Sequence, residues 1–299
     1  MHGVQQFVAF AQTARRGSFA AAARDLGSSP STLAKSVARL EHSLGVKLFH
    51  RTTRQVSLTA DGERLFHRCE RVLAEIEDLQ ADAAGTRTAP TGTLRVDLPT
   101  FYGRRFVLPL LAALQRDHPA LTLEVRLQDG IADLVRDGID LAVRMGEMRD
   151  STLVARRIDS QRLVMVASPG YLRQHGTPTR LEDLSGHRAV AFRLPSSGRS
   201  RPWQLRKGRR PIEMFPVHAI QLSDTEALGT AARLGMGLCQ VPDYIVHDDI
   251  ASGELVELLP GNQPEPMPIN AVVPSGRLVP PRVRVALAAL DSLRERRVD

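Results

Sequence analysis

Residues 18–51 read SFAAAARDLGSSPSTLAKSVARLEHSLGVKLFHR, and this stretch decides the fold of the N-terminal part of the chain. Ser18 is a suitable N-cap for a short helix, and a turn at 27–28 ends it. Ser29 caps the next helix, with Pro30 at its first position, where a missing N–H costs little. The apolar residues of the first of these helices are Phe19, Ala22, Ala23 and Leu26. This arrangement is typical of a helix-turn-helix.

The flanking residues extend this motif on both sides. An amphipathic helix precedes it and ends at Gly17, and the second helix buries Leu33, Val37, Leu40 and Leu44 before Gly45. Two short apolar segments, Val46–Phe49 and Val56–Leu58, then flank a polar tip and predict a hairpin, or wing. We therefore expect an all-α winged helix-turn-helix domain over residues 1–59.

A long helix follows, capped by Thr59. Its apolar residues are spaced 4, 3, 4, 3 and 4 apart, which is the seam of a coiled coil. We predict that residues 60–84 form a dimerisation helix; the alternative is a helix packed on its own domain. The predicted interface residues are Leu65, Cys69, Val72, Ile76 and Leu79, with Ala83 at the end of the seam.

Residues 85–93 are rich in Gly, Thr and Pro and predict a hinge. Beyond it, strand and helix patterns alternate, which indicates an α/β domain with a mostly parallel sheet. Strands are predicted at 94–98, 121–127, 141–143, 163–167, 188–192, 237–241 and 269–273. Helices are predicted at 106–117, 131–137, 224–234 and 281–296.

Charge is unevenly distributed along the chain, whose net charge is +7. Residues 1–59 contain eight Lys or Arg and two acidic residues. Residues 60–84 contain three Lys or Arg and seven acidic residues. A basic head suggests a polyanionic partner, and a merely soluble surface is the alternative. The two cysteines, Cys69 and Cys239, fit small buried residues of a cytoplasmic protein, and no secretory signal or membrane span is expected.

The second helix of the motif would project its N-terminal turn outward, where hydroxyls and cations reach bases and phosphates of double-stranded DNA. Its basic side chains and those of the wing would contact the phosphate backbone. The predicted DNA-binding residues are Ser29, Pro30, Ser31, Thr32, Lys35, Arg39, Arg51 and Arg54.

Several ordered motifs make the chain resemble the LysR-type transcriptional regulators. The N-terminal ones are Phe19-Ala-Ala-Ala-Ala-Arg24-Asp-Leu26, Ser29-Pro30-Ser31-Thr32-Leu33, Leu40-Glu41, Leu44-Gly45-Val46-Lys47-Leu48-Phe49-His50-Arg51 and Leu58-Thr59-Ala60-Asp61-Gly62. The later ones are Asp133-Leu134-Val135, Gly138-Ile-Asp140-Leu-Ala-Val-Arg144-Met-Gly146, Ser168-Pro169-Gly-Tyr171-Leu172, Gly235-Met-Gly237 and Pro281-Arg282-Val-Arg284. Where the family's recognition helix often has Gln and later Ser-Arg, this chain has Pro30 and Ala34-Lys35, so no base preference is carried over.

The resemblance implies an effector domain, residues 94–299, of two α/β lobes like those of periplasmic binding proteins. Lobe one would contain about 94–162 and 267–299, and lobe two about 163–266. A small molecule would bind between them, near the carboxyl ends of strands. For Thr100 and Ser223 the alternative role is helix capping. For Arg144 the alternative is a structural ion pair. Trp203 is a weaker candidate for the effector site. The predicted effector-binding residues are Thr100, Phe101, Met145, Gly146, Arg193, Ser223 and Asp224.

The leading hypothesis is a ligand-responsive transcriptional regulator that acts as a homodimer or homotetramer, with DNA, an effector and RNA polymerase as partners. Helix N-termini and the basic balance favour an anionic effector. Alternatives are an enzyme or a solute-binding protein with a DNA-binding head. We predict no catalytic residues, metal site or cofactor, because no nucleophile elbow, phosphate loop or spaced histidine pair occurs in the sequence.

Overall fold

The computed structural model describes residues 3–51, 56–83, 90–130, 132–148, 153–195, 197–216, 219–275 and 279–295. The predicted wing tip with Arg54, much of the predicted hinge and the side chains of Arg51 and Leu79 lie outside this description. The chain divides into two compact units, residues 1–92 with 135–138, and residues 93–134 with 139–299. None of the described helices is long and apolar enough to cross a membrane.

The first unit begins with the three predicted helices, and their caps confirm the reading of the sequence. Ser18 Oγ accepts a hydrogen bond from the Ala21 N–H, and Ser29 Oγ accepts one from the Thr32 N–H. Gly17 and Gly45 end two of the helices in the left-handed conformation, with φ of 60° and 69°. The helices are α1 (Val4–Arg16), α2 (Phe19–Asp25) and α3 (Pro30–Leu44).

The predicted hairpin is present but shorter than expected. Strands β1 (Phe49–Arg51) and β2 (Val56–Leu58) pair antiparallel, with Phe49 opposite Leu58. Residues 46–48 are not part of β1, because a side chain of α3 binds the backbone where the strand begins. The Glu41 carboxylate accepts hydrogen bonds from the N–H groups of Leu48 (2.9 Å) and Phe49 (3.3 Å).

Glu41 is therefore a structural residue that joins α3 to the wing, and its side chain is almost fully buried. We expect Glu41→Ala to lower the free energy of unfolding by about 2–4 kcal/mol, since two backbone N–H groups lose their acceptor. Glu41→Gln retains an acceptor oxygen and should cost less. The measurement is thermal unfolding of the full chain, with exposed Glu63→Ala as control. Equal melting temperatures for Glu41→Ala and Glu63→Ala would contradict this role.

Helix α4 (Ala60–Ala83) starts as predicted, with Thr59 Oγ1 accepting the Gly62 N–H at 3.0 Å. Its first half packs on the core of the same unit, which corrects the predicted seam. Cys69 is 4% exposed in that core, and Leu65 packs against it. Burial raises the pKa of the Cys69 thiol to about 11, so it is protonated at neutral pH. Val72, in contrast, is 57% exposed.

The second unit contains the remaining elements. The strands are β3 (Gly92–Leu98), β4 (Leu121–Leu127), β5 (Leu141–Met145), β6 (Leu153–Gln161), β7 (Leu163–Ala167), β8 (Ala189–Phe192), β9 (Trp203–Lys207), β10 (Arg210–Met214), β11 (Ala219–Leu222), β12 (Leu238–Pro242), β13 (Val256–Leu258) and β14 (Met267–Pro274). The helices are α5 (Thr100–Tyr102), α6 (Leu108–Asp117), α7 (Pro169–His175), α8 (Thr225–Arg233), α9 (Asp243–Ser252) and α10 (Pro281–Glu295), with a π-helical turn at Gly103–Val107.

Two five-stranded sheets define two lobes. Lobe one has the strand order β4-β3-β5-β14-β6, and lobe two has the order β11-β8-β12-β7-β13. The chain passes from lobe one to lobe two between β6 and β7 and returns at β14. Both sheets are mixed rather than mostly parallel, because β14 runs antiparallel to β5 and β6, and β7 runs antiparallel to β12 and β13.

The predicted helix at 131–137 is wrong. Residues 134–138 form a turn that is closed by a hydrogen bond from the Ile139 N–H to the Leu134 carbonyl, 2.9 Å. Leu134 and Ile139 both pack on Ala142 and Val272 of the sheet. Two residues five apart point to different sides of a helix, so a turn is needed to place both on the same surface. The other predicted strands and helices are present within a few residues, although β6, β9, β10, β11, β13, α5, α7 and α9 were not predicted.

Candidate functional site

The exposed N-terminal half of α3 is the candidate nucleic-acid surface. All six predicted residues on this helix and its cap are exposed: Ser29, Pro30, Ser31, Thr32, Lys35 and Arg39. The Ser29 hydroxyl lies 3.0 Å from the Ser31 hydroxyl and 2.8 Å from that of Thr32. The cap therefore holds three hydroxyls together at the start of the helix, the part of a recognition helix that meets base edges.

The basic side chains of this unit fall into two groups. Arg15, Arg16 and Lys47 pair with Glu70 (2.5 Å), Asp25 (2.6 Å) and Glu41 (3.4 Å), respectively. Lys35 and Arg39 form no ion pair within the described part of the chain. Among the described residues, positive charge without an acidic partner therefore lies on the exposed face of α3. The sequence alone does not distinguish these cations from the paired ones.

A second candidate site lies between the lobes of the second unit. In lobe one, β3, β4 and β5 end at Leu98, Leu127 and Met145, and the Gln128 N–H binds the Leu98 carbonyl. In lobe two, parallel strands β8, β11 and β12 end at a common edge. The two edges face each other. Residues that follow the strands of lobe one contact residues that follow the strands of lobe two.

Asp129 makes one of these contacts, at the start of a helix in each lobe. Its Oδ1 accepts the backbone N–H of Thr100 at 2.9 Å, and its Oδ2 accepts the Thr225 hydroxyl at 3.0 Å. Thr100 begins α5 in lobe one, and Thr225 begins α8 in lobe two. One carboxylate therefore bridges the two lobes and occupies the N–H of Thr100, at a helix start of the kind that the sequence favours for an anionic ligand.

Aromatic rings and ion pairs complete the contact between the lobes. Tyr244, on α9, stacks on Phe101 with ring centroids 5.8 Å apart and packs edge-on against Tyr102 and Phe106. Arg104 pairs with Glu226, and Arg105 lies 3.6 Å from Asp248. A small molecule between the lobes would thus meet an apolar wall beside several charged groups.

The structure separates the predicted effector residues. Thr100 and Phe101 lie at the contact between the lobes, whereas Met145 packs against the core of lobe one. Gly146 follows Met145. Its φ is 87°, and its N–H donates a hydrogen bond to the Pro268 carbonyl.

In lobe two, Arg193 is exposed and its Nε donates to the Gly198 carbonyl at 3.3 Å. Asp224, not Ser223, caps α8 by accepting the Ala227 N–H at 2.7 Å. Arg144 forms the structural ion pair considered above, with Asp97 at 2.6 Å.

Three residues were missed in the sequence: Asp129 and Tyr244, which make these contacts, and Arg201, whose backbone N–H donates to the carbonyl of Phe192 at the end of β8. Asp129 and Tyr244 each come within two residues of a strand's carboxyl end, a position that marks ligand sites in α/β folds. That signal could have identified both. Arg201 lies in a stretch rich in Pro, Ser and Arg, where no periodic pattern distinguishes one arginine from another. Among the described residues, no cluster of three or more His, Cys, Asp or Glu is arranged to hold a metal ion.

Two family models match this architecture. The model for the bacterial regulatory helix-turn-helix protein of the lysR family matches residues 4–63, and the model for the LysR substrate binding domain matches residues 87–294. The chain belongs to the LysR family of transcriptional regulators. It is 34% identical to the HTH-type transcriptional regulator CrgA of Neisseria meningitidis over 285 residues, which are 95% of this chain and 94% of CrgA.

Other LysR-family proteins give the same result. The chain is 34% identical to the HTH-type transcriptional regulator DmlR of Escherichia coli K12, over 94% of this chain and 91% of DmlR. The solved structure of CrgA superposes with a TM-score of 0.60 over 97% of this chain and 98% of that one. The family assignment, the helix-turn-helix and the two-lobed α/β regulatory domain are therefore confirmed. The compared relatives are named as regulators, and the enzyme and solute-binding alternatives are not favoured.

Proposed function

We propose that this LysR-family regulator binds operator DNA through α3 and the wing and responds to a small molecule held between the lobes. The observation that supports DNA binding best is the set of exposed hydroxyls on α3 beside two cations that form no ion pair with any described residue. In this proposal residues 1–59 bind DNA, 60–84 form the dimerisation helix, 85–93 the hinge and 94–299 the effector domain. A homodimer or homotetramer is the acting species.

The proposed effector site is the contact between the two lobes. Thr100, Phe101, Thr225 and Tyr244 come together there from both lobes, so a bound molecule would change how the lobes fit together. A ligand alters DNA binding only to the extent that it binds two assembly states with different affinity, and such coupling is typically about 1–3 kcal/mol.

Genome-wide footprinting of the tagged protein tests the proposed function and identifies its sites. On a recovered site we expect binding to weaken steeply with salt, with a log–log slope of about −5 if a dimer neutralises roughly six phosphates. A slope near zero, or the absence of recovered sites, would contradict operator binding.

The effect of replacing a basic residue on DNA affinity should depend on whether that residue already forms an ion pair. We expect Lys35→Ala and Arg39→Ala each to weaken binding and to make the salt slope of the dimer shallower by about two, because each removes a phosphate-neutralising cation from both subunits. Arg16→Ala is the matched control, because this exposed cation is already paired with Asp25. Fluorescence anisotropy with labelled duplex measures all three. If Arg16→Ala reduced affinity as much as Lys35→Ala, the assignment of α3 as the DNA surface would be wrong.

A further inference from the structure

Arg201 is a partly buried arginine at the edge of lobe two that faces lobe one. Its backbone N–H donates to the carbonyl of Phe192, the last residue of β8, at 2.7 Å. This places Arg201 at the edge of lobe two where β8, β11 and β12 end. Burial lowers the pKa of its guanidinium, and the electrostatic effect of Tyr244, whose ring packs on Phe101 of lobe one, opposes that shift.

Within the described residues, the charge of Arg201 has no acidic partner. The residue is partly withdrawn from solvent, and burial lowers the pKa of its guanidinium. No hydrogen bond or ion pair joins that guanidinium to any residue in the part of the chain that the structure describes. The neighbouring cations differ, because Arg104 and Arg105 pair with Glu226 and Asp248. A cation withdrawn from water destabilises the fold unless an anion pairs with it.

The helix starts at this contact, which the sequence favours as anion sites, already hold carboxylates. Asp129 accepts the N–H of Thr100 and the hydroxyl of Thr225, and Asp224 caps α8. A second anion at either helix start would be repelled by these carboxylates. An anionic ligand in this cleft therefore has its favourable partner at Arg201.

We propose that Arg201 is the recognition group for the effector and that the effector carries a carboxylate. This inference rests on the proposed effector site between the lobes and adds its ligand class. An arginine guanidinium matches a carboxylate with two parallel N–H donors, which a lysine cannot reproduce. The rest of the ligand would lie against the rings of Phe101 and Tyr244, so an apolar body is favoured. Arg193, the arginine chosen from the sequence, is exposed and bound to a backbone carbonyl instead.

The first test needs no ligand. Arg201→Met keeps the alkyl chain and removes the unpaired charge, so we expect the full chain to melt about 2–4 °C higher than wild type. A structural arginine would give the opposite result, since its loss would lower the melting temperature. Arg193→Gln is the control in the same segment and should leave the melting temperature unchanged. A lower melting temperature for Arg201→Met would overturn the proposal.

The second test uses two carboxylates, benzoate and succinate, and their neutral counterparts, benzamide and succinamide. Trp203 is the only tryptophan in the sequence and lies two residues from Arg201, so its fluorescence reports binding to the full chain without a label. We expect at least one carboxylate, but neither amide, to change the fluorescence and raise the melting temperature. Arg201→Met should weaken that binding about 10- to 100-fold, Arg201→Lys less, and Arg193→Gln not at all.

Three results would overturn the proposal: no response to either carboxylate, equal responses to a carboxylate and its amide, or unchanged carboxylate affinity in Arg201→Met. Each of them leaves operator binding intact, because the salt titration of wild type does not involve Arg201. Loss of operator binding with normal carboxylate recognition would instead contradict the proposed function alone.

Discussion

Replacing Gly62 by alanine should lower the free energy of unfolding of the N-terminal unit by about 3 kcal/mol or more and abolish operator binding. A Cβ atom at Gly62 would lie 2.1 Å from the carbonyl oxygen of Leu48 and 3.1 Å from a side-chain carbon of Leu58. The Leu48 backbone cannot move aside easily, since its N–H binds Glu41 and its carbonyl accepts the Thr59 N–H at 3.0 Å. Helix α4 would have to separate from the wing.

Gly170→Ala is the matched control for this substitution. Gly170 is also in the first turn of a helix, α7, but the nearest atom to an added Cβ is 3.8 Å away. Alanine there should be neutral or slightly stabilising, because it restricts the unfolded chain. Calorimetry of the full-length variants, combined with anisotropy on a footprinted site, measures both effects. Wild-type melting and affinity in Gly62→Ala would show that the close packing of α4 on Leu48 is not needed.

Ile76→Asp should convert the protein to monomers and weaken binding to a two-half-site operator by about 100-fold or more. Leu65 and Cys69 belong to the core of their own subunit, so the remaining seam depends on residues farther along α4. Val72 is 57% exposed and Ile76 only partly buried in the single chain. Apolar side chains left uncovered on one face of a helix are those that a partner helix would bury, and a carboxylate there would be desolvated.

His67→Asp is the control for the dimer test, because His67 is exposed on the same helix and outside the seam. It should leave both assembly and affinity unchanged. Analytical ultracentrifugation gives the assembly state, and anisotropy gives the affinity. If Ile76→Asp sediments like wild type and retains its affinity, the interface does not include the second half of α4.

The helix-turn-helix was predictable in detail because its boundaries depend on local chemistry. Ser18, Ser29 and Thr59 each bind a backbone N–H three residues away, and Gly17 and Gly45 adopt conformations that favour glycine. Such interactions involve neighbouring residues only, so the order of the residues is enough to infer them. The same reasoning failed at 131–137, where contacts of Leu134 and Ile139 with the sheet override a helical pattern.

The two candidate sites also differ in how far the sequence predicts them. The exposed residues of α3 were predictable, since they follow from the position of one helix in a local motif. The position of Asp129 after a strand could have marked it as a candidate, but its role and that of Arg201 could not be predicted, because each depends on residues far away in sequence. Asp129 reaches Thr225, 96 positions further along the chain, and only the pairing of the two lobes shows that its carboxylate occupies a helix start.

Residue order and short-range hydrogen bonds are enough to specify the helix-turn-helix, its caps and the resemblance of the whole chain to one family. Which cations have no acidic partner among the described residues depends instead on tertiary packing. Arg15, Arg16 and Lys47 look like Lys35 and Arg39 in the sequence, yet folding brings acids to the first three alone. Ion pairing depends on distances of a few ångströms between side chains, and those distances are set by the packing of helices and sheets.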